Sequence, residues 1–290
     1  TNTFSGDVTV NGTWNNSGNP AITFQGNLVI NAGGIFTTGT GAQVIQGDLT
    51  VSGTWNSASS NVAVTIGGNL TVQSGAVFNS GNSVYTFSGA GKSIGGTIAG
   101  ITINSLSVTG SLENNLAILT VPTLTVPGSF TNRTGQSVVC GTTLSGAGSF
   151  IQQDNASLTV GNTVTITTLS AAADGNTVVY SRNGAQNILP VVYYNLSLAG
   201  NNTKSVTGNT QVSGVLTFGG AATLAIGANS LTAASVNRLN AITVTISSGS
   251  FGVNGPLLLN AADPVTFSGA GTLNVAGLAE RSGLSKVPVG

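Results

Sequence analysis

The sequence has no histidine, no methionine and a single cysteine among its 290 residues. Without histidine, neither a Ser-His-Asp or Cys-His catalytic group nor a histidine-ligated metal site can form. With one cysteine, an intrachain disulfide and a cysteine-rich zinc or iron–sulfur centre are also excluded. We therefore expect no cofactor and no metal. Cys140 ends the apolar run that includes Val138 and Val139, and we interpret it as an inert thiol in the core.

Charge is scarce as well, because only seven acidic and seven basic residues occur and the formal net charge is zero. Seven scattered basic residues cannot follow a phosphate backbone, so the sequence predicts no nucleic-acid partner. No apolar run approaches the ~18 residues of a membrane-spanning helix, so no transmembrane segment is expected. Hydrophobic residues make up 40% of the chain, which is enough to form a core. A surface with so little charge offers weak repulsion between copies and favours self-association.

The carboxylates are too dispersed for the paired acids that polysaccharide lyases and hydrolases need. They belong to Asp7, Asp48, Glu113, Asp154, Asp174, Asp263 and Glu280. Only the first two share a position in the repeat described next, and they lie two repeats apart. We therefore expect that the chain is not an enzyme.

A repeat of about 21 residues occupies the first part of the chain. Four segments that begin at Gly6, Gly26, Gly47 and Gly68 align with one another. Two columns of apolar residues recur in step with the repeat, and we expect both to be buried. One consists of Val8, Leu28, Leu49 and Leu70, and the other of Phe24, Ile45, Ile66 and Phe87.

Each repeat contains three short segments in which apolar and polar residues alternate, which is the pattern of β-strands. Three strands per repeat predict one rung of a right-handed parallel β-helix, or β-solenoid, whose next rung lies ~4.8 Å away. At about 20–21 residues per rung, the chain is expected to form roughly 13–14 rungs. We assign a single solenoid domain to residues 1–276, with regular repeats over 6–88 and looser rungs over 89–276. Within the looser part, Leu231–Leu239 fits either a helical turn or a corner.

Aspartate and asparagine alternate immediately before the first strand of each repeat, at Asp7, Asn27, Asp48 and Asn69. Four stacked aspartates would place like charges ~4.8 Å apart, which is unfavourable. Alternation doubles that distance and lets each amide donate a hydrogen bond to a carboxylate. We interpret the column as an Asx ladder that stabilises the corner, with a cation site as the alternative.

Two further columns allow alternative interpretations. A threonine-rich column follows the leucines, at Thr9, Val29, Thr50 and Thr71. Such a face suits ordered water, but a single threonine per rung and the valine argue against an ice-binding protein. An aromatic column consists of Trp14, Phe36, Trp55 and Phe78. We interpret it as packing at a corner, with a carbohydrate-stacking stripe as the alternative.

The C-terminal segment 277–290 departs from the repeat, because it holds three charged residues and Pro288. Proline suits the edge of a sheet rather than its centre. The segment is either a solvated tail or a strand that leaves the solenoid and contacts the next subunit. Residues of this tail and of the first rung form the candidate subunit interface: Thr3, Phe4, Leu278, Glu280, Arg281, Leu284, Lys286, Val287 and Val289.

Three segments resemble the β-solenoid repeats of large secreted bacterial surface proteins, which are often adhesins or components of the cell surface and extracellular matrix. They are Gly47–Ser60, Thr86–Ile94 and Tyr193–Phe218. The resemblance extends over nearly the whole chain and carries no catalytic motif. It implies a β-solenoid that is secreted and located outside the cell or on its surface.

These observations favour an extracellular structural subunit that stacks head to tail into a fibre or cell-surface filament. Rung edges present backbone groups for pairing, and a repeated contact that does not close produces an open filament. The expected partner is therefore the chain itself. The alternative is a surface adhesin or stalk segment that binds an extracellular glycan or a solid surface. An ice-binding protein and a polysaccharide-active enzyme are less favoured.

Overall fold

The structure, a computed structural model, describes residues 1–16, 18–57, 61–260, 263–277 and 279–282. This part of the chain consists of β-strands and contains no helix, and so none that is long and apolar enough to cross a membrane. In chain order the strands are β1 (Asn2–Phe4), β2 (Val8–Val10), β3 (Thr13–Asn15), β4 (Ile22–Phe24), β5 (Leu28–Ile30), β6 (Ile35–Thr37), β7 (Gln43–Ile45), β8 (Leu49–Val51), β9 (Thr54–Asn56), β10 (Ala63–Ile66), β11 (Leu70–Val72), β12 (Val77–Asn79), β13 (Val84–Phe87), β14 (Lys92–Gly96), β15 (Gly100–Thr102), β16 (Ser105–Val108), β17 (Ser111–Asn114), β18 (Ile118–Thr120), β19 (Thr123–Thr125), β20 (Ser129–Asn132), β21 (Ser137–Cys140), β22 (Thr143–Gln152), β23 (Ser157–Val160), β24 (Thr163–Ser170), β25 (Thr177–Tyr180), β26 (Gln186–Ile188), β27 (Val192–Tyr193), β28 (Asn195–Leu198), β29 (Asn202–Val206), β30 (Thr210–Phe218), β31 (Ala222–Gly227), β32 (Ser230–Arg238), β33 (Thr243–Ile246), β34 (Ser250–Val253), β35 (Leu257–Asn260), β36 (Val265–Phe267), β37 (Thr272–Val275) and β38 (Ala279–Ser282).

The strands pair in parallel between successive turns of the chain rather than with their neighbours in sequence. At the start of the chain β1 pairs with β4, β2 with β5 and β3 with β6, so each turn contributes three strands. The chain makes about 13 such turns. The predicted β-solenoid is confirmed.

The chain divides into two compact units, Thr1–Ile151 with Thr165–Leu169 and Gln152–Val164 with Ser170–Gly290. The assignment of residues 1–276 to one domain stays a prediction. In the first unit three faces surround the core. The first face has the strand order β1-β4-β7-β10-β13-β16-β19-β22, and the second has the order β2-β5-β8-β11-β14-β17-β20-β22. The third face consists of β3-β6-β9-β12, followed by β15-β18-β21.

In the second unit one sheet has the order β23-β25-β28-β30-β32-β34-β37 and another the order β26-β29-β31-β33-β36. The segment Leu231–Leu239 lies almost entirely in β32, so both the helical turn and the corner are wrong for it. The strand forms because β30 pairs with it in parallel from Thr210 to Phe218, with one shift of register. Leu231 and Ala233 are buried by this stacking.

The two apolar columns lie in register in the first unit. Leu28, Leu49 and Leu70 are paired partners on the second face, and Ile45 and Ile66 are paired partners on the first. Every member of both columns is 0% exposed except Val8 in the first turn, which is half-buried. Burying one leucine side chain fully contributes roughly 1.5–3 kcal/mol. The columns are therefore a principal source of stability in these turns.

The turns change length after the fourth. The step from Leu70 to its partner Ile94 is longer than the step from Leu49 to Leu70. The following steps, from Ile94 to Asn114 and from Asn114 to Asn132, become progressively shorter. The perimeter of the solenoid therefore widens once and then narrows within the first unit.

Residues 279–282 continue the stack instead of leaving it at residue 277. They form β38, which pairs in parallel with β35 and places Glu280 opposite Leu258 and Arg281 opposite Leu259. The other proposed interface residues of the tail lie outside the described residues: Leu278, Leu284, Lys286, Val287 and Val289.

Candidate functional site

The Asx column forms a hydrogen-bonded ladder at the corner between the first and second faces. The backbone N–H of Asn27 donates to Asp7 Oδ1 at 2.8 Å, and its Nδ2 donates to Asp7 Oδ2 at 3.3 Å. The backbone N–H of Asp48 donates to Asn27 Oδ1 at 2.8 Å, and that of Asn69 to Asp48 Oδ1 at 2.7 Å. The amide Nδ2 of Asn69 also donates to Asp48 Oδ1 at 3.1 Å. Each carboxylate thus receives both a backbone and a side-chain donor from the next turn.

The glycine before each Asx residue is required by this ladder. A Cβ atom added at Gly26, Gly47 or Gly68 would collide with the Oδ1 atom of the Asx residue in the preceding turn. It would also collide with backbone atoms of that turn. Only glycine leaves room for the backbone to approach so closely. The Gly-Asp/Asn pair of the repeat is therefore a structural unit that fixes the spacing of the turns.

The aromatic column lies inside the solenoid rather than on its surface. Phe36 and Trp55 are 0% exposed and their rings stack with centroids 5.2 Å apart. The indole Nε1 of Trp55 donates to the Tyr85 hydroxyl at 2.7 Å, which in turn lies 3.4 Å from Ser57 Oγ. Phe78, the last member of the column, is only half-buried. The column is therefore core packing in its middle, and its two end members, Trp14 and Phe78, reach the surface.

An uncharged column of small residues runs along the outside of the first face. The structure places the following residues opposite one another in consecutive turns: Thr3, Thr23, Val44, Thr65, Thr86, Ser107, Thr125 and Ser145. The shorter column Thr9, Val29, Thr50 and Thr71 lies on the second face and continues to Gly95. The longer column was missed from the sequence, although each of its first five members comes directly before a residue of the buried Phe/Ile column or its continuation.

The first turn presents the edge of each of the three faces, because β1, β2 and β3 are the terminal strands in the order of pairing. Phe4 stacks on Phe24 with ring centroids 5.5 Å apart, and Trp14 lies edge-on to Phe36 at 5.4 Å. Phe24 and Phe36 are 0% exposed, whereas Phe4 and Trp14 are half-buried. Thr3 is exposed on the same edge. The rings of the first turn therefore continue the columns that are fully buried in the turns that follow.

A groove lies on the third face, where the ladder of strands is interrupted. β12 ends one sheet, with β9 as its partner, and β15 begins the next, with β18 as its partner. Two adjoining depressions of about 360 and 440 Å³ occupy the interruption and share Phe78 and Thr102 in their linings. The sequence carries one signal for this groove, because the repeat lengthens after Leu70, whose partner in the next turn is Ile94.

The first unit contains exposed, half-buried and deeply buried ionisable residues. Arg133 and Glu113 form an ion pair at 2.6 Å with both side chains partly exposed. Burial raises the pKa of the Cys140 thiol to about 12. Burial likewise raises the pKa of Tyr85 to about 12, although its hydrogen bonds with Ser57 and Trp55 act in the opposite direction. An unreactive thiol agrees with the interpretation of Cys140 as part of the core.

The second unit buries polar groups inside its turns. Lys204 is 0% exposed, and its Nζ donates to the carbonyl oxygens of Arg182 at 2.6 Å, Gly184 at 3.2 Å and Asn201 at 3.3 Å. Burial lowers the pKa of Lys204, and the nearby charge of Arg182 lowers it further. The ammonium group thus connects two neighbouring turns through hydrogen bonds to their corners.

A buried ion pair and a tyrosine pair complete these polar contacts. Asp263 is 2% exposed, and its carboxylate lies 2.8 Å from Arg238 Nε and accepts from the backbone N–H of Ile242 at 2.9 Å. The hydroxyls of Tyr180 and Tyr193 are 2.8 Å apart. Burial raises the pKa of both phenols.

The described part of the chain holds no group of three or more His, Cys, Asp or Glu side chains close enough together for a metal site. One pair of acidic residues is nevertheless closer together than the repeat predicts. Asp154 and Asp174 are neighbours in successive turns, where the Asp174 N–H donates to Asp154 Oδ1 at 3.1 Å.

Comparison of this chain with known protein families, curated proteins and solved structures yields no match.

Proposed function

We propose that this chain is an extracellular structural subunit that stacks head to tail into a filament. The observation that carries the proposal is the in-register stacking of similar turns, in which the three strands of one turn pair in parallel with those of the next. Phe4 and Trp14 in the first turn are half-buried and occupy the positions that are fully buried one and two turns later. A rung of a second copy paired with these strands would cover both rings and extend three faces at once.

The composition supports the same conclusion. The formal net charge is zero, and charged residues make up 5% of the chain, so electrostatic repulsion between stacked copies is weak. Natural sheets protect their edges with charged side chains, especially lysine. Neither β1 nor β2 nor β3 contains a charged residue. These three strands therefore lack the charged side chains that commonly prevent strand addition.

The proposal is tested by adding charged side chains to the strands of the first turn. We expect purified protein to form filaments in negative-stain images, with a diffraction spacing of ~4.8 Å along the filament axis. The variant Thr3→Lys/Thr13→Lys places two lysines on exposed positions of the edge and should remain monomeric by sedimentation velocity. The matched control Thr50→Lys/Thr65→Lys places the same charges on outward positions of inner turns and should still assemble.

Two results would reject the filament. One is wild-type protein that stays monomeric at every concentration up to about millimolar, since a dissociation constant above this value is too weak to hold a filament together. The other is assembly by the edge variant to the same extent as by the control, because the first turn would then not be the site of stacking.

A further inference from the structure

The groove on the third face is a local feature of an otherwise continuous stack. On the second face Leu70 remains paired with Ile94, and on the first face Val84 remains paired with Ser105. Only the third face loses its pairing between the same two turns, at β12 and β15. The groove is therefore held open by two intact faces rather than by a loose loop.

Polar contacts close the groove at both ends. At one end Thr97 Oγ1 accepts from the backbone N–H of Ser74 at 2.8 Å and donates to Gln73 Oε1 at 2.8 Å. At the other end the backbone N–H of Asn104 donates to Ser80 Oγ at 3.4 Å, and its side chain donates to the carbonyl oxygen of Gly81. These contacts join the two turns on either side of the interruption and give the groove a fixed length.

Phe78 forms part of the wall in the middle of this groove. Its ring stacks on Trp55, with centroids 6.5 Å apart and an angle of 12° between the planes. Trp55 is covered by rings on both sides and is 0% exposed, whereas Phe78 is half-buried and lines both depressions. The ring therefore offers a rigid aromatic surface to whatever enters the groove.

An additional β-strand does not fit between the two edges. Cα atoms of β12 and β15 approach within 8 Å of one another. Inserting a strand would require two spacings of ~4.8 Å, which is more than this distance. An occupant must instead lie over the groove from outside and contact its lining side chains.

The lining is chemically uniform in one respect: no side chain around either depression is ionisable. Its polar groups are hydroxyls and carboxamides, at Asn79, Asn82, Thr102 and Thr120, and these groups both donate and accept hydrogen bonds. Its apolar groups include Phe78 and the aliphatic side chains of Val77 and Ile118, which are 54% and 51% exposed. Each depression lies within the usual range of small-ligand sites, about 300–1,000 Å³.

From this combination we propose that the groove binds a neutral oligosaccharide, with one sugar ring stacked on Phe78 and its hydroxyls paired with the surrounding amides and hydroxyls. A sugar has an apolar face that can stack on the Phe78 ring and many hydroxyls that donate and accept hydrogen bonds. An uncharged lining repels none of these groups. A charged polymer would leave its ions without partners in this groove. The proposal does not depend on filament formation, because the groove lies several turns away from the edge of the first turn.

The test uses the whole chain and measures binding by titration calorimetry and ligand-observed NMR. The probes are hexasaccharides of glucose, N-acetylglucosamine and mannose, with a galacturonic-acid hexasaccharide as the anionic comparison. We expect at least one neutral probe to bind at millimolar concentration or tighter and the anionic probe not to bind. Phe78→Leu, which keeps an apolar side chain but removes the ring, should weaken binding by about tenfold or more. Thr102→Glu, which adds a charge at an exposed position shared by both depressions, should abolish it.

Matched controls separate the groove from general effects. Phe130→Leu removes a buried ring of the second face, and Thr9→Glu adds a charge at an exposed position outside the groove; both should bind like the wild type. Thermal unfolding of every variant shows whether the fold is retained. If none of the neutral probes binds, or if Phe78→Leu and Thr102→Glu bind as well as their controls, the proposal is wrong. Equal binding of the anionic probe would overturn the neutral specificity.

Discussion

The first four turns and the turns that follow residue 170 differ in the side chains that fill their interiors. In the first four turns the interior consists mainly of repeated apolar columns, such as Leu28, Leu49 and Leu70, with uncharged polar side chains such as Gln43 among them, and the Asx residues form a ladder outside. In the later turns single polar groups are buried where their partners are specific, as with Lys204 and Asp263. Repetition allows any turn to stack on any similar turn. Specific buried contacts fix which turn lies next to which, at the cost of desolvating charged groups.

The largest expected effect tests the repeated columns. Leu49→Asp places a carboxylate without a partner among apolar side chains and should destabilise the first unit by more than about 4–5 kcal/mol. Leu49→Ala should cost about 2–5 kcal/mol through loss of burial and the cavity left behind. Urea unfolding measures both values. The neighbouring outward variant Thr50→Asp is the control, and an effect as large as that of Leu49→Asp would show that the assigned direction of the side chains is wrong.

The next effect tests the specific contacts of the second unit. Lys204→Ala removes the donor for three carbonyl oxygens and should destabilise this unit by about 3–5 kcal/mol, because buried acceptors without donors are costly. Lys204→Met restores the apolar stem without the donors and should recover only the packing part of the loss. Lys92→Ala removes a less buried lysine for comparison. Equal stability of wild type and Lys204→Ala would show that the carbonyl contacts contribute nothing.

Alkaline pH should act on the two regions through different buried groups. The Cys140 thiol titrates near 9.0 when unfolded and has a pKa of about 12 in the fold, so its stabilising contribution is complete below pH 9 and is lost as pH rises towards 12. The loss is about 1.4 kcal/mol per pH unit within that window. Tyr85 acts in the same direction above pH 10. Lys204 acts in the opposite direction, because its pKa is lowered in the fold and stability therefore rises with pH between its folded and its unfolded pKa. Tyr180 and Tyr193 in the same unit have raised pKa values and act as Tyr85 does.

Urea unfolding at pH 7 and pH 11, in the presence of a reducing agent, measures this response. Replacing the thiol by Cys140→Val removes one titrating group while keeping a side chain of similar size. The stability difference between wild type and variant should shift by about 2–3 kcal/mol between the two pH values. A difference that stays constant would mean that the thiol is not buried as described.

The smallest expected effect concerns the ladder outside the first turns. Asp48→Ala removes the acceptor for the backbone N–H and the Nδ2 of Asn69 and should cost about 1–2 kcal/mol. Asp48→Asn keeps an acceptor and should cost less than half as much. Thermal unfolding compares these with Glu113→Ala, which removes an exposed ion pair worth at most about 1 kcal/mol. If Asp48→Asn is as damaging as Asp48→Ala, the carboxylate charge rather than the ladder stabilises the corner.

The fold of the first turns could be predicted because one period governs every strand in them. The nearly constant spacing of the repeat aligns Leu28, Leu49 and Leu70 without knowledge of the corners, and the Asp/Asn alternation indicates hydrogen bonds between turns. The groove could not be predicted in the same way, because the longer step from Leu70 to Ile94 does not show which face loses its pairing. Lys204 could not be assigned to the interior, since a lysine is normally exposed and only the three converging carbonyl oxygens make burial possible.

The alternation of the ladder also determines how such a chain can grow or shrink during evolution. Duplicating one turn would bring Asp7 beside a copy of itself, with two carboxylates in adjacent positions and no side-chain amide to donate between them. Duplicating two turns, as from Gly6 to Gly47, preserves the order of acid and amide throughout. In the first turns the unit that preserves this order is therefore the pair of turns, and deletion of two consecutive turns should cost less stability than deletion of one, although Asp154 and Asp174 show that two acidic residues can occupy successive turns elsewhere.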